Sequence, residues 1–185
     1  MATTVIISSS VRNGRKSHPV ALFFKQYIEA QQLASVIMLD LNEYKFPIFE
    51  ERLKLQTHPA KEVPQFAEAI KQAADLIPVT PEYNGGYPGS LKNVTDLLYN
   101  EWHRKPVAIS TVSNGVFGGT QVISSLQFTL RKLKAWTVPA MFPVPSADKT
   151  FDESGQAIEK AATEKRAAAF IAKLMWCIEA NKRMN

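Results

Sequence analysis

Three short stretches hold most of the side chains able to do chemistry. In "SSSVRNGRKSHP" (8–19), serines stand at 8, 9, 10 and 17, Arg12 supplies a planar cation and Gly14 eases a turn. Ser17 sits where a helix N-cap belongs, and Pro19 falls in the first turn, where its missing N–H costs nothing. Free amides at a helix N-terminus, beside hydroxyls and an arginine, make a seat for phosphate. A polar turn ending in an ordinary serine cap accounts for the same residues. The stretch "VTPEYNGGYPGSLKN" (79–93) gathers three of the chain's eight glycines within five residues, beside two prolines and two tyrosines. It is either a tight structural corner or a surface shaped around a ligand. In the second case the glycines admit a flat molecule, Asn84 and the loop amides meet a heterocycle's polar edge, and Tyr83 and Tyr87 form walls. "SNGVFGGT" (113–120) combines hydroxyl, amide and glycines again, with Phe117 as an apolar wall.

Other chemistries have weaker support. Neither G-x-x-x-x-G-K-[ST] nor G-x-G-x-x-G occurs, which argues against an NTPase and a classical dinucleotide-binding domain. His18, His58 and His103 have no Ser/Asp constellation and read as helix-start, loop or surface histidines. The single cysteine, Cys177, lies among apolar residues of a helical run and reads as packing, and no Cys/His cluster has metal-ligand spacing. No catalytic acid, nucleophile or metal is therefore assigned. The net charge of +5 is scattered, as in "RKLK" (131–134) and "NKRMN" (181–185), and reads as solvated faces rather than a nucleic-acid surface. It would also help attract a phosphorylated small molecule. No apolar run is long enough for a bilayer, and "MATTVIISSSV" lacks the pattern of a secretion signal. A cytoplasmic, disulfide-free protein with no membrane partner is expected.

These loops need elements to hold them. Five short apolar runs suit buried parallel strands: Thr3 to Ser8, Ser35 to Leu41, Ala74 to Thr80, Pro106 to Ser113 and Trp136 to Val144. Prolines in the last run predict an edge strand or an early end. Between them run stripes at helical spacing: Val20, Phe24, Tyr27 and Ile28; Val63, Phe66, Ala67, Ile70 and Ala74; Leu91, Val94, Leu98 and Trp102. Two more follow, Ile123, Leu126, Leu130 and Leu133, then Phe170, Ile171, Leu174, Met175 and Ile178. Strand-helix alternation over residues 1–185 indicates one α/β domain with an open, doubly wound five-stranded parallel sheet and helices on both faces. In such sheets ligands bind beyond the carboxyl ends of the strands, where strand order reverses. All three loops fall at that edge.

Taken together, "SSVRNGRKS", "PEYNGGYPGSLKN" and "KPVAISTVSNGVFGGT" resemble the NAD(P)H-dependent FMN reductases, flavodoxin-like proteins that include quinone, azo-dye and chromate reductases. The most specific element is Pro81-Glu82-Tyr83-Asn84 followed by Gly89 and Leu91-Lys92-Asn93. The resemblance implies that Ser10, Arg12, Ser17 and the intervening amides, Val11 included, hold an FMN phosphate. Pro81, Glu82, Tyr83 and Asn84 would border the ring, and Ser113, Asn114, Gly115, Phe117 and Gly118 would complete its site. One departure is visible: the family usually begins its phosphate loop with Gly-Ser, and here Ser9 precedes Ser10. The implied activity takes hydride from NADPH or NADH onto FMN, then passes two electrons to a small-molecule acceptor: a quinone, azo compound, metal oxyanion or free flavin. A flavin-dependent redox sensor or a one-electron, flavodoxin-type carrier are the alternatives. Arg15 and Lys16 are placed either to meet a 2′-phosphate or to face solvent. The long connection from Asn42 to Pro59 holds Tyr44, Phe46, Ile48, Phe49 and Leu53, and the helix beginning near Gly89 adds Leu97, Tyr99 and Trp102. So much apolar surface predicts a homodimer or a dimer of dimers whose neighbouring chain finishes the site.

Overall fold

Strand β1 (Thr3–Ser8) sets the layering, because its side chains alternate between two cores. Val5 and Ile7 join one apolar cluster and Ile6 joins the other, all three fully buried. The computed structural model, which describes residues 2–184, pairs β1 with β2 (Ser35–Asp40) on one side and β3 (Asp75–Pro81) on the other. Then come β4 (Pro106–Val112) and β5 (Trp136–Val144), giving a parallel sheet of order β2-β1-β3-β4-β5. The reversal of direction lies between β1 and β3.

The helices are α1 (Ser17–Ala30), α2 (Leu41–Tyr44), α3 (Glu62–Gln72), α4 (Gly89–Leu97), α5 (Val122–Lys132), α6 (Ala147–Thr150) and α7 (Lys160–Met184). Helices α3, α4 and α5 cover one face, and α1 and α7 the other. On the second face, Phe24 meets Phe142 and Phe170 with ring centroids 5.0 and 5.4 Å apart. The prolines of β5 do not end it. Val107 pairs with Thr137 and Ile109 with Met141, so β5 spends four residues where β4 spends two. This bulge on the edge strand takes up Pro139 without costing a ladder bond inside the sheet.

Two expectations change. The stripe through Leu98 and Trp102 is not one helix: α4 stops at Leu97, Leu98 is extended, and Trp102 ends a separate helical turn, Asn100–Trp102. The apolar groups assigned to a neighbouring chain also have partners at home. Tyr44 stacks on Phe46 at 5.1 Å, and both rings present to the edge or face of Phe66 on α3 at 5.3 and 5.2 Å. Phe49, Leu53 and Tyr99 pack on the same core, while Leu97 and Trp102 are buried within it. Ile48 is the exception, 87% exposed.

Candidate functional site

At the end of β1 the chain continues beside β3. Ser9 donates both its amide and its hydroxyl to the Val79 carbonyl, at 3.2 and 2.8 Å. Serine in place of glycine is thus accommodated here, its side chain turned into the sheet. Ser10 is also buried; its Oγ accepts the Arg12 amide at 3.3 Å and shares a 2.6 Å hydrogen bond with the Tyr83 hydroxyl. Gly14 takes a left-handed φ of 65° and the chain turns into α1. Ser17 does not cap that helix: Lys16 holds the cap position without a side-chain bond, and Ser17 is the first helical residue. Its hydroxyl is buried and has no hydrogen-bond partner among the described residues. A buried unpaired hydroxyl costs stability unless something else completes it.

Arg15 faces neither solvent nor open cleft alone. Both of its terminal nitrogens donate to the Asp40 carboxylate, Nη2 at 2.6 Å, and Nη1 also donates to the Ser10 carbonyl at 2.9 Å. His18 Nδ1 lies 3.1 Å from Ser8 Oγ and 3.4 Å from Asp40 Oδ2. Burial, helped by the Arg15 charge, pushes the His18 pKa below its ordinary 6.5, while Asp40 opposes this.

The second loop is a corner as well as a wall. Tyr83 and Gly86 exchange backbone bonds at 2.8 and 3.0 Å around Asn84 and Gly85, whose φ angles are 52° and 80°. That is the geometry an Asn-Gly pair favours in a two-residue hairpin, and it carries the exposed Asn84 to the tip of the turn. Tyr87 turns the other way and bonds Thr129 Oγ1 on α5 at 2.7 Å, so it is no wall of the cleft. Asn93 clips the long connection: its side chain accepts the Phe49 amide at 2.6 Å and donates to the Pro47 carbonyl at 2.7 Å.

In the third loop, Ser113 donates its amide to Val144 at 3.1 Å, beside β5. Gly118 is buried, its carbonyl accepting from Thr111 Oγ1 at 2.7 Å, and a Cβ there would meet the Val144 and Pro145 nitrogens at 2.9 Å. Val116 and Phe117 project into solvent.

Arg12, Ser17, Pro81, Glu82, Tyr83, Ser113 and Asn114 line one open cleft above β1, β3 and β4. Ser10 lies buried beneath it, while Gly115 and Phe117 stay on an exposed turn. Val11 lines a neighbouring, more apolar cleft with Leu41, Lys45 and Ile48. The Arg15–Asp40 pair was not anticipated. Its one signal was an acidic residue ending the strand beside a basic loop. The cleft can take an anion at Ser17 and the start of α1, and a flat group between the 81–83 and 112–114 walls. Among the described residues no cluster of potential metal ligands occurs, and no helix is long and apolar enough to cross a membrane.

The family model described as NADPH-dependent FMN reductase matches residues 2–149. An NAD(P)H-dependent FMN reductase of Saccharomyces cerevisiae is 37% identical over 142 residues, covering 70% of this chain and 73% of that protein. A quinone reductase of Pseudomonas putida is 28% identical over 143 residues, 74% of this chain and 75% of its own. Among solved structures, the flavoenzyme NAD(P)H:(acceptor) oxidoreductase of Paracoccus denitrificans has a TM-score of 0.76 at 22% identity, covering 98% of this chain and 99% of its own. A cysteine-to-alanine mutant of flavodoxin from Pseudomonas aeruginosa has a TM-score of 0.58 at 19% identity, covering 94% of this chain and 99% of its own. These last two are likenesses of fold.

Proposed function

This chain belongs to the NADPH-dependent FMN reductase family, and on that premise we propose that it is a cytoplasmic NAD(P)H-dependent FMN reductase delivering electrons to quinones. The observation that carries the reading is the buried, unpartnered Ser17 hydroxyl at the start of α1, in a cleft shared with Arg12. A terminal phosphate supplies the missing partner, so the residues present fit the group. FMN, when bound, supplies hydride acceptance from the nicotinamide and two-electron delivery to the acceptor.

The protein's own tasks are placement and electrostatics. Ser17 Oγ and the first amides of α1 donate to the phosphate, and exposed Arg12 adds a charge-assisted bond. Pro81, Glu82 and Tyr83 wall one side of the ring and Val112 to Asn114 the other. Tyr83 is held in place by its bond to Ser10. Asn84, Gly115, Phe117 and Gly118, expected at the ring site, act in this reading through the turns they build. Val11 and Ile48, 48% and 87% exposed beside the second cleft, are apolar groups that a second copy in a homodimer would cover.

Flavin-free protein titrated with FMN, then given NADPH or NADH under nitrogen with and without a benzoquinone, tests the proposal. FMN is expected to quench on binding, bleach with nicotinamide and recover with quinone. Failure to bind FMN sinks the reading; binding without turnover transfers the chain to the sensors. Light scattering of the active sample is expected to give about twice the 20.6 kDa chain mass, and Ile48→Asp to reduce it.

A further inference from the structure

We infer that Asp40 is a positioning residue for the phosphate seat: acting through Arg15, it fixes the Ser10 carbonyl and with it the turn that leads into α1. The inference rests on the reading of that turn as a flavin-phosphate seat. Asp40 ends β2 only 4% exposed and receives both terminal nitrogens of Arg15. The Nη1 that meets the carboxylate also meets Ser10 O at 2.9 Å, and Ser10 Oγ meets the Tyr83 hydroxyl at 2.6 Å. One chain of polar contacts thus runs from β2 under the phosphate turn to the wall after β3.

A guanidinium held by two parallel bonds has little rotational freedom left, so its third contact is fixed in direction as well as distance. The Asp40 carboxylate is itself aimed, because one oxygen also accepts the Asn42 amide at 3.1 Å. Paired this closely, the Arg15 charge is largely cancelled. Arg15 therefore contributes geometry to the seat, and the exposed Arg12 contributes the field. The competing view makes Asp40 a plain cap for α2, with Arg15 a bystander that it neutralises.

The two views predict opposite signs for Asp40→Asn. If Asp40 only neutralises, the freed guanidinium adds positive charge beside the seat and FMN binds more tightly. If Asp40 positions, the Ser10 carbonyl and the following turn lose their brace and FMN binds more weakly. Riboflavin, which has the same ring and no phosphate, separates this from general damage. Flavin-free wild type and variant are titrated with each, following fluorescence, with thermal unfolding recorded alongside.

We expect the preference for FMN over riboflavin to fall about tenfold in Asp40→Asn, with riboflavin affinity unchanged. Arg15→Lys, which keeps the charge and loses the fork, is expected to lower the preference in the same direction. This second variant decides the matter should Asp40→Asn fail to fold. An unchanged or increased preference in a folded variant overturns the inference. Wild type that binds neither flavin overturns the reading of the cleft itself, a distinct result.

Discussion

The two ends of the sheet each carry a buried oxygen without a partner among the described residues, and each resolves the deficit differently. At the carboxyl end it is Ser17 Oγ, which lines the cleft with Arg12 and Tyr83. At the amino end it is Asp75 Oδ1, at the start of β3, in a carboxyl group with no solvent exposure. Thr4 donates to the other Asp75 oxygen at 3.0 Å. Lys105 is nearby, but it donates to the Lys71 carbonyl at 2.7 Å and to that of Ala73. An orphan facing a cleft can be completed by a ligand. A carboxylate sealed inside is instead relieved of its charge by a proton, and burial pushes the Asp75 pKa up to about 7, against the pull of Thr4 and Lys105. Unsatisfied polarity thus appears as binding capacity at one end of the same sheet and as proton uptake at the other.

The largest expected effect breaks the amino end. Folded Asp75 keeps its proton up to about pH 7, whereas the unfolded chain releases it near the ordinary 3.8. The folded state therefore holds more protons between those values, and stability falls as pH rises through that window, then levels off. Asp75→Asn removes the titration. Its melting temperature is expected to match wild type near pH 4 and exceed it above pH 8, by up to on the order of 4 kcal/mol in stability. Parallel melting curves across the range contradict this. FMN affinity is expected to stay as in wild type throughout.

Next in size is the carboxyl end. Arg12→Ala removes a charge-assisted bond to the phosphate, worth ~1.5–3 kcal/mol, so FMN affinity drops about tenfold or more. Arg12 is exposed, and the flavin-free melting temperature is expected to hold. Calorimetric titration reads the first and thermal unfolding the second; unchanged FMN affinity removes Arg12 from the seat. Thr4→Val is the amino-end counterpart. It leaves Asp75 without its donor, raises the Asp75 pKa further and lowers stability by ~1–2 kcal/mol, with or without FMN. A loss that FMN abolishes would deny the independence of the two ends.

What was legible in the sequence follows the same divide. Strands and helices around the core could be placed because period and run length are local: Val5, Ile6 and Ile7 declare a strand covered on both faces, and Phe66 and Ile70 a helix stripe. The residues that would hold an anion were visible for a similar reason, since Arg12 and Ser17 belong to one loop. Pairings across the chain were not visible. Arg15 and Asp40 are 25 positions apart, and only the adjacency of β1 and β2 makes them partners. The apolar connection after β2 announced that it would pack, but hydrophobicity does not say against what, and Phe66 on α3 was the answer. Tyr87 and Asn84 show a second limit. A tyrosine near a cleft can point to α5, and an Asn-Gly pair is a turn signal before it is a ring contact.

The smallest effect separates the two orphans most cleanly. Ser17→Ala deletes the unpartnered hydroxyl and changes nothing else at the start of α1. In the flavin-free protein no hydrogen bond is lost, because none of the described residues reaches that oxygen, so stability is expected to hold or rise slightly. With FMN present the deletion costs one donor to the phosphate, ~1 kcal/mol, or about fivefold in affinity. Riboflavin, without a phosphate, is expected to bind wild type and variant equally. The signs for flavin-free and FMN-bound protein are therefore opposed, whereas Thr4→Val destabilises both states alike. Melting curves of the two variants, each taken with and without saturating FMN, give four comparisons. If Ser17→Ala destabilises the flavin-free protein by as much as Thr4→Val does, the hydroxyl has a structural partner and is not held in reserve for a ligand.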